Sequence, residues 1–469
     1  MAPELRPRTS QVKPSSYATS IENLRTPNPA SFRSGVATNS ILHGESAPPI
    51  YTIDLSLPPA ERYTHVLKDF RLALTHLPVL LDEIFDAVRV PNRILHGIVR
   101  LLLRRVYDQE QHEELKGISG SLGLPMHLLV AYNVLLDLFM GCTSGGARAQ
   151  PPDSVVPRMM HFRTLDWGMP ALRDVVVQYN FVERPGGDVI ARTISYVGYV
   201  GVLTGVKQNL SVSINFRPCH NDDASWITNC SFRLHQIAVL LGVRPSIASI
   251  LRNFILPHTT RREDCKEGEK KTVQIAERPI YGQSDIYTTL PSMSTTAAYL
   301  IFSTPHETII LEKDRKTAKT LKSSSFIATT NHDESYDTNQ DADHTQAAHI
   351  AHAKQQSLGQ DIEYIIEESV HRKKCLAGKW ETWLSKQKKG SRRDQKRPVE
   401  GSEGGVPLET LKEWMQANPT SNQETHFVCI MDPARGEFKW VRRYDEGDIR
   451  GESGDERSEM GDNDVDVSE

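Results

Sequence analysis

Residues Leu128–Gln150 read LLVAYNVLLDLFMGCTSGGARAQ, and Met159–Gly168 read MMHFRTLDWG. The first stretch is a long apolar helical pattern, opened by Pro125, that runs into Gly141 and stops. Cys142 follows where the pattern ends. A small polar stretch comes next, then a short strand carrying Arg163 and Asp166. A thiol at a helix-to-strand junction, with a cation and a carboxylate downstream, is arranged for nucleophilic chemistry. Taken alone, Cys142 reads more simply as a small buried core residue, and Arg163 with Asp166 as an ion pair across a strand end.

The texture differs on the two sides of Cys142. On the amino-terminal side, residues 1–46 are rich in Pro, Ser, Thr and Arg and read as a disordered segment. Ile50–Leu57 alternates as a short strand closed by Pro58 and Pro59. Leu67, Phe70, Leu74 and Leu77 then recur at helical intervals. A second helix, about Asn92–Tyr107, interleaves Arg100, Arg104 and Arg105 with Ile94, Leu95, Ile98, Leu102 and Val106. It reads as a core-facing helix with a solvated basic edge, the alternative being a basic amphipathic helix lying on a lipid surface.

Beyond Cys142 the pattern turns strand-rich. Asp174–Glu183 and Val189–Ser195 read as strands joined at Pro185-Gly186-Gly187. Tyr196–Gly205 (YVGYVGVLTG) reads as strands with close backbone approaches, and Asn209–Phe216 as a further strand. Phe232–Leu241 and Ser246–Phe254 are helical, and Ala297–Glu312 is a hairpin leading to Phe326–Asn331. A strand block flanked by helices is what an α+β fold, a four-layer α/β/β/α sandwich preceded by a helical segment, should show; that fold is what the family resemblance set out below implies. Polar inserts are expected near 261–285, 334–360 and 386–405, and the acidic tail 445–469 reads as disordered.

Composition narrows the function. The formal net charge of the 469 residues is −4, with no dominating basic stripe, which argues against nucleic acid. There is no apolar run of about eighteen residues to span a bilayer. The opening MAPELRPRTSQVKPSS lacks the apolar core of a signal peptide, so a cytoplasmic or intracellular chain is expected unless the gene model is truncated. Cys142, Cys219, Cys230, Cys265, Cys375 and Cys429 form no CxxC pair and suit a reducing compartment. None precedes Cys142, so fragments cut there would be held by packing alone. The glycosylation sequons at Asn209 and Asn229 read as chance matches. His344, His349 and His352 lack a fourth metal ligand and read as solvated. Asp337, Asn339 and Asp341 begin like a calcium loop, but Ala342 and Ala348 stand where glycine and glutamate are required. No metal or organic cofactor is expected.

Six motifs in order resemble the acid ceramidase family, including its relative the N-acylethanolamine-hydrolysing acid amidase, within the N-terminal-nucleophile hydrolases. They are PIYTIDLSLPPAER (Pro49–Arg62), NVLLDLFMGCTS (Asn133–Ser144), FRTLDWG (Phe162–Gly168), YVGYVGVLTG, TTNHD (Thr329–Asp333) and THFVCIMDPARGEFKWV (Thr425–Val441), over roughly residues 49–444. The resemblance implies a mainly helical smaller-subunit region at 47–141 and a catalytic domain at 142–444. It implies self-cleavage of the Gly141–Cys142 bond, which leaves a cysteine bearing both thiol and free α-amine. That amine titrates near neutrality and serves as general base without a histidine.

By the same resemblance Asp166 orients the amine, Arg163 holds the carboxylate or biases the thiol towards thiolate, and Asn331 donates to the oxyanion. Tyr199 and Arg217 are assigned to substrate. Two departures stand out. The family's arginine about a dozen residues after the asparagine is missing, His344 within Asp341–Thr345 being the nearest candidate, and Phe216 replaces an acidic residue before Arg217. The implied activity is hydrolysis of a long-chain N-acyl amide, ceramide to sphingosine and fatty acid. The alternatives are an N-acylethanolamine or other N-acyl amide hydrolase, and a non-catalytic lipid-binding member of the fold. The expected partners are an amphiphilic lipid substrate, a membrane surface and, after cleavage, the two fragments for each other.

Overall fold

Sixteen strands of the described residues form two large sheets and a separate hairpin, in a computed structural model that describes residues 46–74, 97, 100–135, 141–218, 220, 226–261, 273–338, 362–393 and 404–449. The strands in chain order are β1 (Ile50–Asp54), β2 (Gly141–Gln150), β3 (Arg158–Asp166), β4 (Val176–Val182), β5 (Val189–Tyr196), β6 (Thr204–Lys207), β7 (Leu210–Phe216), β8 (Pro257–Arg261), β9 (Val273–Pro279), β10 (Ala298–Ser303), β11 (Thr308–Lys313), β12 (Ala318–Ser323), β13 (Phe326–Thr329), β14 (Val406–Pro407), β15 (Thr425–Asp432) and β16 (Glu437–Arg443). The larger sheet runs β1-β4-β5-β6-β7-β10-β11-β12 and is antiparallel except for the parallel β1–β4 pair. The smaller runs β13-β2-β3-β15-β16, with β14 pairing beside β2. The described residues from Ser46 onward form one compact unit that includes segments on both sides of Cys142.

The period of two along a strand sorts the side chains of the smaller sheet. Ser144, His161 and Arg163 reach the larger sheet, where they meet Ser211, Ser213 and Asn215 of β7. Ala147, Met160, Phe162, Val428 and Ile430 face the other way and pack with Leu376 and Trp380 of the long helix Ile362–Arg393 and with Leu411 and Met415 of helix Leu408–Gln416. The larger core cluster joins β4–β7 to helices Thr64–Leu74, Gln109–Leu122, Met126–Leu135 and Ile247–Ile255. Helices outside, sheets inside: this is the expected α/β/β/α layering.

The structure corrects several local expectations. The stretch after Cys142 is no polar loop but β2, which is nearly all buried. Its small residues let neighbours approach closely: a Cβ on Gly145 would lie 2.1 Å from the carbonyl oxygen of Ile327 on the adjacent strand β13, and one on Gly146 only 1.9 Å from Thr308 Oγ1 of the facing larger sheet. Within Asn92–Tyr107, helix ends at residue 102, leaving Arg104 and Arg105 outside it. Of the ten-residue strand motif Tyr196–Gly205, residues 197–203 are not strand but a turn followed by irregular backbone, with Gly198 at φ +90°. The insert expected at 261–285 is partly strand, β9 pairing with β8. The excursion expected at 386–405 begins as helix, through Arg393. Of the segments read as disordered, 1–46 and 445–469, all but residues 46 and 445–449 lie outside the described residues, as do Leu77, His344, His349, His352, Asn339 and Asp341.

Candidate active site

Pairing of β2 with β3 sets Cys142 opposite Leu165, Ser144 opposite Arg163 and Gly141 opposite Asp166. Because β3 alternates, Arg163 points between the sheets and Asp166 points towards the long helix. Arg163 Nη2 lies 3.4 Å from Cys142 Sγ, and its Nη1 donates to the Ile214 carbonyl and to Asn215 Oδ1. Asn215 also accepts from Ser144 Oγ at 2.7 Å and donates to the carbonyls of Thr329 and Thr330. It thereby ties β2, β7 and the loop after β13 into one cluster.

The thiol is fully buried, and that burial pushes its pKa above the ordinary cysteine value. Arg163 and then Arg372 pull it down, and Asp166 adds to the rise. Asp166 is likewise pushed up by burial, against the pull of Arg372, Thr425 and Arg163. Its Oδ1 accepts from Thr425 Oγ1 at 2.7 Å and its Oδ2 from Arg372 Nη1 at 2.5 Å.

Asn331 completes the arrangement from the loop after β13. Its Oδ1 accepts from the Cys142 backbone N–H at 2.9 Å and from Arg372 Nη2 at 3.0 Å. Both partners are obligatory donors, which fixes the orientation of the amide. Its Nδ2 donates to the Phe216 carbonyl at 2.9 Å. In the intact chain Asn331 therefore presents its acceptor to the cysteine nitrogen, while its donor is engaged by Phe216.

Cys142, Arg163, Asp166 and Asn331 are thus brought together, with Gly141 beside Asp166. Tyr199 and Arg217 are not. Tyr199 is core, edge-on to Tyr132 at 6.2 Å between centroids. Arg217 makes a buried two-pronged pair with Asp333, at 2.8 and 2.6 Å, and Tyr299 donates to the same carboxylate. Both bind the protein rather than open space. Arg372, on the long helix, brings a guanidinium to both Asp166 and Asn331, whereas His344, read from the sequence as the nearest candidate for such a group, lies outside the described residues. Sequence reading missed Arg372, Asn215 and Thr425. The usable signal for Arg372 was the spacing of Ile366, Ser369, Arg372, Leu376 and Trp380, all buried on one helix.

The chain resembles known proteins in parts. The family model for the beta subunit of N-acylethanolamine-hydrolyzing acid amidase matches residues 46–107. The chain is 30% identical over 185 residues to the N-acylethanolamine-hydrolyzing acid amidase of Caenorhabditis elegans, covering 37% of this chain and 49% of that one. It is 27% identical over 253 residues to the acid ceramidase of Mus musculus, covering 50% and 59% respectively. The chain spans about half the length of the curated relatives it matches. A solved structure of the Caenorhabditis elegans N-acylethanolamine-hydrolyzing acid amidase ortholog aligns over 65% of this chain and 100% of that one, at 16% identity and a TM-score of 0.40.

Proposed function

We propose, from the premise that the chain belongs to the family of the acid ceramidases and N-acylethanolamine-hydrolyzing acid amidases, that it is an N-acyl amide hydrolase with Cys142 as nucleophile. The observation that carries this reading is the double hold on one residue. Arg163 reaches the Cys142 sulfur while Asn331, braced by Arg372, accepts from the Cys142 nitrogen.

In the first step the thiol attacks the Gly141 carbonyl carbon. A carbon–sulfur bond forms, the carbon–nitrogen bond breaks, and the thiol proton ends on the departing nitrogen. Water then hydrolyses the thioester, leaving Cys142 with a free α-amine. Asn331 Oδ1 already holds that nitrogen, and Asp166 lies across the strand pair from Gly141. With substrate, the amine takes the thiol proton, the thiolate attacks the amide carbonyl, and the ammonium protonates the leaving amine. Water releases the fatty acid from the acyl-thioester.

The substrate proposed is ceramide, cleaved to sphingosine and fatty acid. The second reading, an N-acylethanolamine, is favoured by the family match and by the 30% identical relative. Both are amphiphiles, and an exposed apolar face of helix Trp226–Leu240, comprising Trp226, Ile227, Leu234 and Ile237, supports contact with a lipid surface. No helix among the described residues is long and apolar enough to cross a membrane.

The test uses the purified full chain with fluorescent ceramide and fluorescent N-acylethanolamine, beside a Cys142→Ala variant. Processing at Gly141–Cys142 yields fragments of about 15 and about 37 kDa. Hydrolysis by the variant equal to that of the wild type would remove Cys142 from the reaction.

A further inference from the structure

One face of the long helix Ile362–Arg393 grips the loop that carries Asn331. Ser369, Arg372 and Lys373 stand at i, i+3 and i+4 and therefore on one side. Arg372 takes the Asn331 side chain. Lys373 pairs with Asp337 at 2.6 Å and with Glu334. Ser369, fully buried, takes the backbone: its Oγ accepts from the Asn331 N–H at 2.6 Å.

That hydroxyl has two further neighbours. It lies 2.8 Å from Thr330 Oγ1 and 2.7 Å from His332 Nδ1. The Thr330 hydroxyl is itself donated to the Ser369 carbonyl at 2.9 Å. On its other side, His332 Nε2 faces Asp337 at 3.3 and 3.4 Å. A serine hydroxyl carries one proton, so it donates either to Thr330 or to the imidazole. If Nε2 carries the proton towards Asp337, a neutral imidazole accepts at Nδ1 and takes the serine proton. An imidazolium donates at both nitrogens, to Asp337 and to Ser369, and turns the serine proton to Thr330. The protonation of His332 therefore decides where the hydroxyl points while it holds the Asn331 amide.

We propose that Ser369 is a positioning residue for the hydrolysis, with His332 as its proton partner, setting the Asn331–Arg372 geometry at the Cys142 nitrogen and coupling it to pH. This rests on the functional reading above and adds to it a residue pair that touches neither substrate nor sulfur. Among the described residues, the charged groups that act on His332 include Asp333 and Asp337 on its own segment and Lys373 on the helix, with Glu334 pairing with Lys373 and Arg217, just after β7, pairing with Asp333. Burial favours the neutral imidazole and Asp337 favours the charged one, so the two states are in opposition within one packed cluster.

The experiment compares full-length wild type with Ser369→Ala, Ser369→Thr and His332→Gln. It measures kcat and KM for the fluorescent N-acyl amide that the wild type hydrolyses, from pH 4 to pH 9, with Tm for each. The expected result for Ser369→Ala is a fall in kcat approaching about 10²-fold with KM little changed, the scale of a misplacement near 1 Å. Ser369→Thr keeps the hydroxyl and restores most of the rate. His332→Gln deletes one ionisation from the kcat profile while Tm stays near wild type. An active wild type whose Ser369→Ala variant keeps both rate and pH profile, or whose His332→Gln variant keeps every limb of that profile, overturns the proposal alone. A wild type inert towards all N-acyl amides overturns it together with the functional reading.

Discussion

Arg372 Nη1 stands 2.5 Å from Asp166 Oδ2, although 206 residues separate the two in the chain. The same guanidinium reaches Asn331 Oδ1 at 3.0 Å. One planar fork thus spans the carboxylate paired across from Gly141 and the amide that holds the Cys142 nitrogen. Lysine, a point charge on a flexible stem, cannot bridge both at once.

Replacing Arg372 separates its two contributions. Arg372→Ala leaves a buried carboxylate without its cation and is expected to destabilise the fold by about 3–5 kcal/mol, read from denaturant melts. Arg372→Lys keeps a positive charge, so its loss of stability is smaller. Its loss of rate is expected to be about 10²-fold, because the Asn331 contact is given up. Comparable melts for the two variants with unchanged hydrolysis in Arg372→Lys would assign the residue to packing only.

Thiol accessibility gives a second prediction. Cys142 and Cys429 are buried, and burial drives the Cys429 thiol to about 12 and the Cys142 thiol above its ordinary value. Cys230 is exposed. Raised pKa values keep both buried thiols protonated at neutral pH, and the neutral form is not the nucleophile. Brief alkylation of the uncleaved chain at pH 7.5, mapped by peptide mass spectrometry, is expected to mark Cys230 while sparing Cys142 and Cys429. Early marking of Cys142 would show that its pocket is open before cleavage.

How much of this was written in the sequence varies with the kind of residue doing the work. The strands β4, β5, β7 and β10 were legible because β7 alternates and the others are β-branched or apolar runs bounded by turn residues, and Cys142, Arg163, Asp166 and Asn331 stood within motifs. Two elements of the candidate site were not legible. The strand β2 has almost no β-branched residues, since the adjacent strand and the facing sheet approach so closely that there is no room for a side chain at Gly145 or Gly146, and such composition is not strand-like. The long helix hides its apolar stripe because two buried positions in it, Ser369 and Arg372, are polar. Those are the positions that serve the candidate site, so the interruption of the pattern was itself the signal.

Gly145 tests the close approach directly. A methyl group there meets the Ile327 carbonyl oxygen at 2.1 Å and Phe162 Cζ at 2.7 Å, and the carbonyl belongs to backbone that cannot swing aside. Gly145→Ala is expected to destabilise by about 1–3 kcal/mol or more through overpacking. It should also disturb the β2–β13 pairing that brings Asn331 to Cys142. Thermal unfolding of a Cys142→Ala background isolates stability from processing; an unchanged Tm would mean that the β2–β13 contact is looser than the structure has it.

The last prediction follows from the proposed cleavage before Cys142 and concerns how the two fragments would stay together. Arg62, Glu110 and Glu114 precede Cys142; Arg252, His258 and Thr259 follow it, and the six meet in one cluster, buried except for the partly exposed His258. Arg252 grips Glu114 at 2.6 and 2.7 Å, Arg62 donates to Thr259 at 2.8 Å, and His258 Nδ1 lies 3.0 Å from Glu110. Burial works to raise the Glu110 pKa, but the His258 hydrogen bond and the Arg252 and Arg62 guanidinium groups hold it well below the usual carboxylate range. Its contribution is therefore present above the unfolded value of about 4.3 and fades as pH falls through the lowered folded value. His258 is raised, first by its hydrogen bond to Glu110 and against partial desolvation. Its contribution is complete below the unfolded value of about 6.5 and fades as pH rises through the raised folded value. Both are fully present between about pH 4.3 and 6.5, where the cleaved pair should be hardest to separate. Size-exclusion chromatography of cleaved protein in mild denaturant should show dissociation increasing above that window, and His258→Gln should flatten the alkaline limb. Glu114→Gln, which uncouples the cluster's central carboxylate from both arginines, should release the fragments at every pH. Wild-type and His258→Gln fragments that dissociate identically across pH would take His258 out of the clasp.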